Sequence, residues 1–173
     1  FRELATYYQE QENGTEGKTL KEIDGITYRD AEGEIKSNPW RPVMDLSEVD
    51  FPYVNLKKFE NRIIYYETSR GCPFSCSYCL SSIDKRLRFR NLELVKKELA
   101  FFLEHKVPQV KFVDRTFNCK KDHAMEIWKF IAEHDNGVTN FHFEIAADLI
   151  TEEELELLNT LRPGLVQPEI GVQ

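Results

Sequence analysis

Ile63-Ile64-Tyr65-Tyr66-Glu67-Thr68-Ser69-Arg70-Gly71-Cys72-Pro73-Phe74-Ser75-Cys76-Ser77-Tyr78-Cys79 is a short apolar run that opens into a cysteine-bearing loop. The apolar residues at its start predict a strand buried on both faces. Three residues separate Cys72 from Cys76, and two separate Cys76 from Cys79. That spacing lets one loop aim three thiolates at one point. A structural metal site normally closes with four protein ligands, whereas a working site keeps a position open. A count of three therefore points to a site with room for a small molecule.

Disulfides and zinc are the alternative uses of these thiols. Four cysteines in 173 residues is sparse, and the three clustered ones are too crowded to staple distant segments. Phe1-Arg2-Glu3-Leu4 opens into charged, helix-like sequence without a secretory pattern, so a reducing cytosol is expected. Zinc would ask for a fourth ligand, and its usual patterns are two pairs of nearby ligands. Cys119 stands alone in the sequence, and His105, His123, His134 and His142 are scattered, none beside the triad. Cys119 reads as an ordinary buried thiol.

The formal net charge of -7 argues against broad binding to nucleic-acid phosphates. One local exception is Lys85-Arg86-Leu87-Arg88-Phe89-Arg90, which reads either as a solvated loop or as a contact for an anionic substrate or partner. No apolar stretch approaches the ~20 residues that a membrane helix needs.

Outward from the loop, the chain divides in character. Residues 1 to about 60 are polar and broken by turns. Leu4, Ala5, Tyr7 and Tyr8 suggest an amphipathic helix end stopped by Asn13-Gly14. Ile26 to Ile35 reads as a small hairpin around Asp30-Ala31-Glu32-Gly33. Pro39, Pro42 and Pro52 then hold the chain extended, as a linker lying along a neighbouring surface. A helix end and a lone hairpin cannot bury a core of their own, so this part is expected to be the tail of a preceding domain.

Residues 61–173 alternate strand and helix. Leu92, Val95, Leu99, Phe102 and Leu103 recur at helical spacing, and Gln109 to Val113 follows as a strand. Ala124, Ile127, Phe130 and Ile131 give a second helical stripe, then Phe141 to Ile145 a third strand. Thr151-Glu152-Glu153-Glu154 is a capping box for a helix carrying Leu155, Leu158 and Leu161. Val166 to Val172 is a fourth strand, weakened by Pro168. Such alternation implies an α/β fold with a parallel sheet and right-handed crossovers. A closed (β/α) barrel needs eight such units and about 250 residues, so the expectation is about half of a TIM-type barrel, with free sheet edges that invite self-association. Function in such sheets sits at the C-terminal strand ends. The cysteine loop, Asp114-Arg115, Glu144, Asp148 and Gln173 all fall there. Glu144 carries the most weight, because a carboxylate amid Phe141, Phe143 and Ile145 is costly to bury unpaired.

The block from Thr68 to Cys79 resembles the signature loop of the radical S-adenosylmethionine (SAM) superfamily. The flanking Leu46 to Phe51-Pro52-Tyr53 and Asp114-Arg115-Thr116-Phe117-Asn118 resemble its branch with an N-terminal cobalamin-binding domain. Members of that branch are often labelled anaerobic magnesium-protoporphyrin IX monomethyl ester cyclase-like. The resemblance implies that Cys72, Cys76 and Cys79 ligate three irons of a [4Fe-4S] cluster and that SAM chelates the fourth. Reductive cleavage of SAM to a 5′-deoxyadenosyl radical would follow, with the protein binding, orienting and excluding water. It further implies that Gly71 and Pro73 shape the loop, Tyr78 shields the cluster and meets the adenine, Asp114 binds the SAM amino group, and Glu144 and Gln173 hold its ribose and methionine parts. A small-molecule substrate and an electron donor such as flavodoxin or ferredoxin go with it, in a B12-linked methyl transfer or cyclisation. A methylthio-transferring enzyme shares the loop but carries further cluster cysteines. Two departures stand out: the common Gly-Gly-Glu form is absent, and so is an Asp-x-His-x-x-Gly cobalamin ligand motif. Without a cobalamin domain or the second barrel half, these residues alone are expected not to turn over substrate.

Overall fold

The computed structural model describes residues 1–83 and 85–171, and these form two compact units, Phe1–Met44 and Asp45–Gln173. In the first unit, α1 (Arg2–Asn13) ends at Gly14, whose φ of 67° places it in the left-handed region that favours glycine. An antiparallel hairpin follows, β1 (Thr27–Arg29) against β2 (Ile35–Ser37), with Tyr28 opposite Lys36. Helix and hairpin both lie where the sequence pattern put them.

The second unit is built on four parallel strands in the order β3 (Ile64–Tyr66), β6 (Gln109–Phe112), β7 (Asn140–Ile145) and β8 (Val166–Ile170). Between β3 and β6 lie the short strands β4 (Ser69–Arg70) and β5 (Arg88–Phe89). Helices α2 (Leu92–Glu104), α3 (Lys121–Glu133) and α4 (Glu152–Thr160) supply the crossovers. The register aligns Ile64 with Val110, Val110 with Phe141, and Phe141 with Val166. Side chains alternate along a strand, so one sheet face collects Ile64, Tyr66, Val110, Phe112, Phe141, Phe143 and Ile145, all buried. Val95, Leu99 and Phe102 of α2 and Ile127, Trp128 and Ile131 of α3 are fully buried in the same core. The ring centroids of Phe112 and Phe143 are 4.3 Å apart.

Two details depart from the sequence pattern, and a third accords with it. β3 is buried on one face rather than two: Ile64 and Tyr66 face the core, while Ile63 and Tyr65 are exposed on the face away from the helices. On α4 the inward positions are Glu154, Leu157, Leu158 and Leu161, and Leu155 points outward. Pro168 pairs opposite Phe143 inside β8, which is the last strand of the described sheet, where a missing ladder donor is tolerated.

The compact unit that holds the sheet starts at Asp45. The proline-containing strap from Asp45 to Phe59 packs on α2. The ring centroid of Phe51 is 5.4 Å from those of both Phe101 and Phe102, and that of Tyr53 is 5.6 Å from Phe102. Arg90 fastens it, donating to the carbonyls of Leu46 and Val49 while its other edge grips Glu98 at 2.5 and 2.9 Å. Tyr66 donates to the same carboxylate at 2.5 Å. The last arginine of the basic run is thus a buried structural residue, because Glu98 meets it inside the core. Among the described residues no helix is long and apolar enough to cross a membrane.

Removing one partner of this pair leaves the other charge buried without compensation. Arg90→Met is expected to lower unfolding stability by about 3–5 kcal/mol in urea titrations, and the double change Arg90→Met/Glu98→Leu to recover a large part of it. A loss below about 1 kcal/mol for the single change would mean that the pair is effectively solvated.

Candidate cofactor-binding site

The cysteine loop leaves the C-terminal end of β3 and is closed at its base. β4 and β5 pair antiparallel, Ser69 opposite Phe89 and Arg70 opposite Arg88, and the Arg90 amide donates to the Thr68 carbonyl at 2.8 Å. Residues 71–87 therefore form an excursion whose two ends are tied together. Gly71 starts it at a φ of 95°, which a side chain would strain. Within it, the Cys79 amide donates to the Cys76 carbonyl at 3.2 Å, and the Lys85 ammonium donates to the Ser75 hydroxyl at 2.6 Å.

All four cysteines are free. Cys72 is buried, and its thiol lies 3.6 Å from Thr116 Oγ1. The Thr116 hydroxyl donates to the Arg115 carbonyl at 2.8 Å, so in that contact the thiol is the donor. Cys76 is exposed and Cys79 partly so. Cys79 precedes a 3₁₀ turn, Leu80–Ser82. The Ser81 amide and hydroxyl, then the Ser82 amide and the Arg115 guanidinium, hold its thiol below the usual range. Tyr78, between them, is largely exposed, and loss of hydration, the neighbouring sulfurs and a hydrogen bond to Cys76 raise its phenol.

The end of β6 meets the loop from below. Asp114 has no exposed surface. Its Oδ1 accepts from Thr68 Oγ1 at 2.7 Å and Ser69 Oγ at 2.6 Å, and its Oδ2 from the Thr68 amide at 3.1 Å. So placed, its two oxygens serve the base of the loop, where the resemblance had assigned it to the SAM amino group. Burial outweighs those three bonds and pushes its carboxyl up to about 6. On the far side of Thr68 stands His123 of α3, 2% exposed, with Nε2 3.1 Å from Thr68 Oγ1. Since the hydroxyl proton goes to Asp114, His123 is the donor here, and burial followed by the Lys120 charge lowers it to about 4. His123 is remote from the triad in sequence but adjacent to its base in space. Asn118 bridges to β7, donating to the Ala146 carbonyl and accepting from its amide, each at 2.9 Å.

Glu144 lies on the sheet face opposite Phe141, Phe143 and Ile145, because residues alternate along β7. It is half-buried, 3.9 Å from the Lys111 ammonium, which also reaches Glu169 at 3.3 Å. His142 Nε2 is 3.0 Å from Glu169. Asp148 is exposed on a 3₁₀ turn, Ala147–Leu149, and Gln173 lies outside the described residues. A cleft of about 690 Å³ lies at the opposite end of β3 and β6, lined by Phe59, Ile63, His105, Lys106 and Gln109 among others, and none of these candidates lines it.

The family model described as the radical SAM superfamily matches residues 66–173, from the end of β3 onward. The chain belongs to the radical SAM superfamily. It is 32% identical over 123 residues to an uncharacterized methyltransferase of Pyrococcus horikoshii, covering 65% of this chain and 27% of the relative. It is 30% identical over 141 residues to 4′-phospho-dehydrooxetanocin synthase of Priestia megaterium, covering 78% of this chain and 18% of that one. The chain thus spans about a quarter or less of the length of these relatives. Among solved structures, the cobalamin-dependent SAM radical enzyme OxsB matches 99% of this chain and 26% of its own at a TM-score of 0.71 and 24% identity. The radical SAM methyltransferase TsrM from Kitasatospora setae matches 98% and 36% at 0.68 and 16% identity. The four parallel strands are accordingly part of a radical SAM barrel.

Asp114 and His123 titrate with opposite sign. A carboxyl raised from about 3.8 to about 6 favours the fold in its acid form, so its contribution is full below pH 3.8 and is lost as pH rises through 6. A histidine lowered from 6.5 to about 4 favours the fold when neutral, so its contribution is full above 6.5 and is lost as pH falls towards 4. Between pH 4 and 6 the two offset each other. Relative to the parent chain, the melting temperature of His123→Leu should fall as pH rises across this window, and that of Asp114→Asn should climb. Parallel profiles for all three metal-free proteins would show that neither group titrates there.

Proposed function

We propose that Cys72, Cys76 and Cys79 hold a [4Fe-4S] cluster to which SAM binds at the fourth iron, in an enzyme that makes radicals from SAM. The observation that carries this reading is the loop itself: three free cysteines, a closed base and a position at the C-terminal end of a barrel strand. The donor set fits a cube. A lone zinc needs its ligands about 2.3 Å from one centre, whereas a cube presents three separate irons to three separate thiolates. When bound, the cluster and SAM supply one-electron cleavage of the sulfonium to a 5′-deoxyadenosyl radical.

The chain's own residues bind and orient. Ser81, Ser82 and Arg115 favour the thiolate of Cys79, the form that a metal takes. Cys72 is shielded from water beside Thr116. The exposed ring of Tyr78 is free to cover the cluster and meet the adenine. Glu144, with Lys111 beside it, serves the ribose, and Gln173 the methionine end. An electron donor of the flavodoxin or ferredoxin kind and a small-molecule substrate complete the reaction. The methyltransferase names and the cobalamin-bound solved structures support a cobalamin-linked methyl transfer by the full-length protein, with cyclisation as the other outcome of the same radical chemistry.

Anaerobic reconstitution of the full-length protein tests this. Uptake of about four irons and four sulfides per chain is expected, with brown absorption and an electron paramagnetic resonance signal of the reduced form that SAM alters. Cys76→Ala should lose most of the iron and release no 5′-deoxyadenosine. Stoichiometric zinc with no iron uptake would end the reading.

A further inference from the structure

Asp114 makes three hydrogen bonds, all to Thr68 and Ser69, two consecutive residues at the entrance to the cysteine loop. Burying a carboxylate is costly, and apolar residues of similar volume often stabilise a core better. The cost falls at a definite place. Thr68 is held by three elements at once: Asp114 after β6, His123 on α3, and the Arg90 amide after β5, which donates to the Thr68 carbonyl at 2.8 Å. Two residues beyond Asp114, Thr116 meets the Cys72 thiol at 3.6 Å. One short segment, residues 114–116, therefore fixes both the base of the loop and its first cysteine.

We infer that Asp114 is a positioning residue of the cysteine loop, its carboxylate locking Thr68 and Ser69 so that Cys72 is presented to the cluster at a fixed angle. The inference rests on the cluster reading above and adds a role to it. The geometry separates the consequences of neighbouring changes. Asn at 114 keeps one acceptor for the two hydroxyls but sets an amide NH₂ against the Thr68 N–H, or, if turned over, forces both hydroxyls to change from donors to acceptors. Valine at 68 keeps the shape of threonine and removes the hydroxyl that joins Asp114 to His123, whereas serine retains it.

The experiment compares the full-length protein with Asp114→Asn, Thr68→Val and Thr68→Ser after anaerobic iron and sulfide loading. It reads the rate of iron loss to a strong chelator and amide hydrogen exchange over residues 69–72, with exchange in α2 and β7 as the control for global stability. Asp114→Asn and Thr68→Val should lose iron at least tenfold faster and exchange faster at 69–72 alone, while Thr68→Ser stays within about twofold of the parent. A rate for Asp114→Asn within twofold of the parent would overturn the inference. Should Asp114→Asn fail to fold, Thr68→Val decides by the same criterion. If the parent takes up no iron, the cluster reading fails on its own. Exchange at 69–72 in the metal-free proteins then judges the positioning role, and unchanged protection in both variants would overturn it.

Discussion

A loop that carries three cysteines has no core of its own, so its geometry must be imposed at its base. Here that imposition is a set of hydrogen bonds around Thr68, the second residue after β3. Its amide and hydroxyl go to Asp114, its carbonyl accepts from Arg90, and its hydroxyl accepts from His123. Each of these groups would need water or a partner wherever the chain left the sheet. Supplying all of them from buried residues makes the exit direction of the chain a property of the core.

The fixation extends further back. Tyr66, two residues before Thr68, is the core-facing end of β3 and donates to Glu98 of α2. Glu98 holds Arg90, and Arg90 holds the strap at Leu46 and Val49. Burial and the Glu98 charge both raise the Tyr66 phenol, so it remains a donor throughout the accessible pH range. A chain of hydrogen bonds thus runs from the strap through a buried ion pair to the strand that launches the loop. The aromatic layer of Phe102, Phe112, Phe117 and Phe143 supplies the dry surroundings. In such surroundings a partly satisfied network would be costly, and a satisfied one specifies a single arrangement.

The strands, helices and cysteine loop were legible because each has a signal within a few residues: apolar runs, three-and-four spacing, a capping box, a tight cysteine pattern. The rest of the site has none. β4 and β5 are two residues each, Ser-Arg and Arg-Phe, too short for any periodicity, so the ladder that closes the loop could not be read. His123 comes to Thr68 only because α3 packs back across the sheet, a tertiary fact. Asp114 was correctly placed at a strand end, but its orientation depends on what Thr68 and Ser69 need. For Glu144 the strand end is legible but the surroundings are not, because its apolar neighbours in sequence are on the other side of the strand.

That alternation also explains how one sheet serves packing and chemistry together. The row Tyr65, Lys111, His142 and Gln167 runs across all four strands on the face away from the helices, with Glu144 and Glu169 aligned in the next row. Two like charges side by side on neighbouring strands repel. Lys111 lies within 4 Å of both, and His142 takes a further share of Glu169. The carboxylate nearer to Lys111 and His142 is Glu169, so Glu144 is the less committed of the two. The looser hold leaves Glu144 the more available of the two, as the proposed contact with the ribose requires. Asp114, with no exposed surface and three hydrogen bonds to the base of the loop, is suited to the opposite task of holding its neighbours in place.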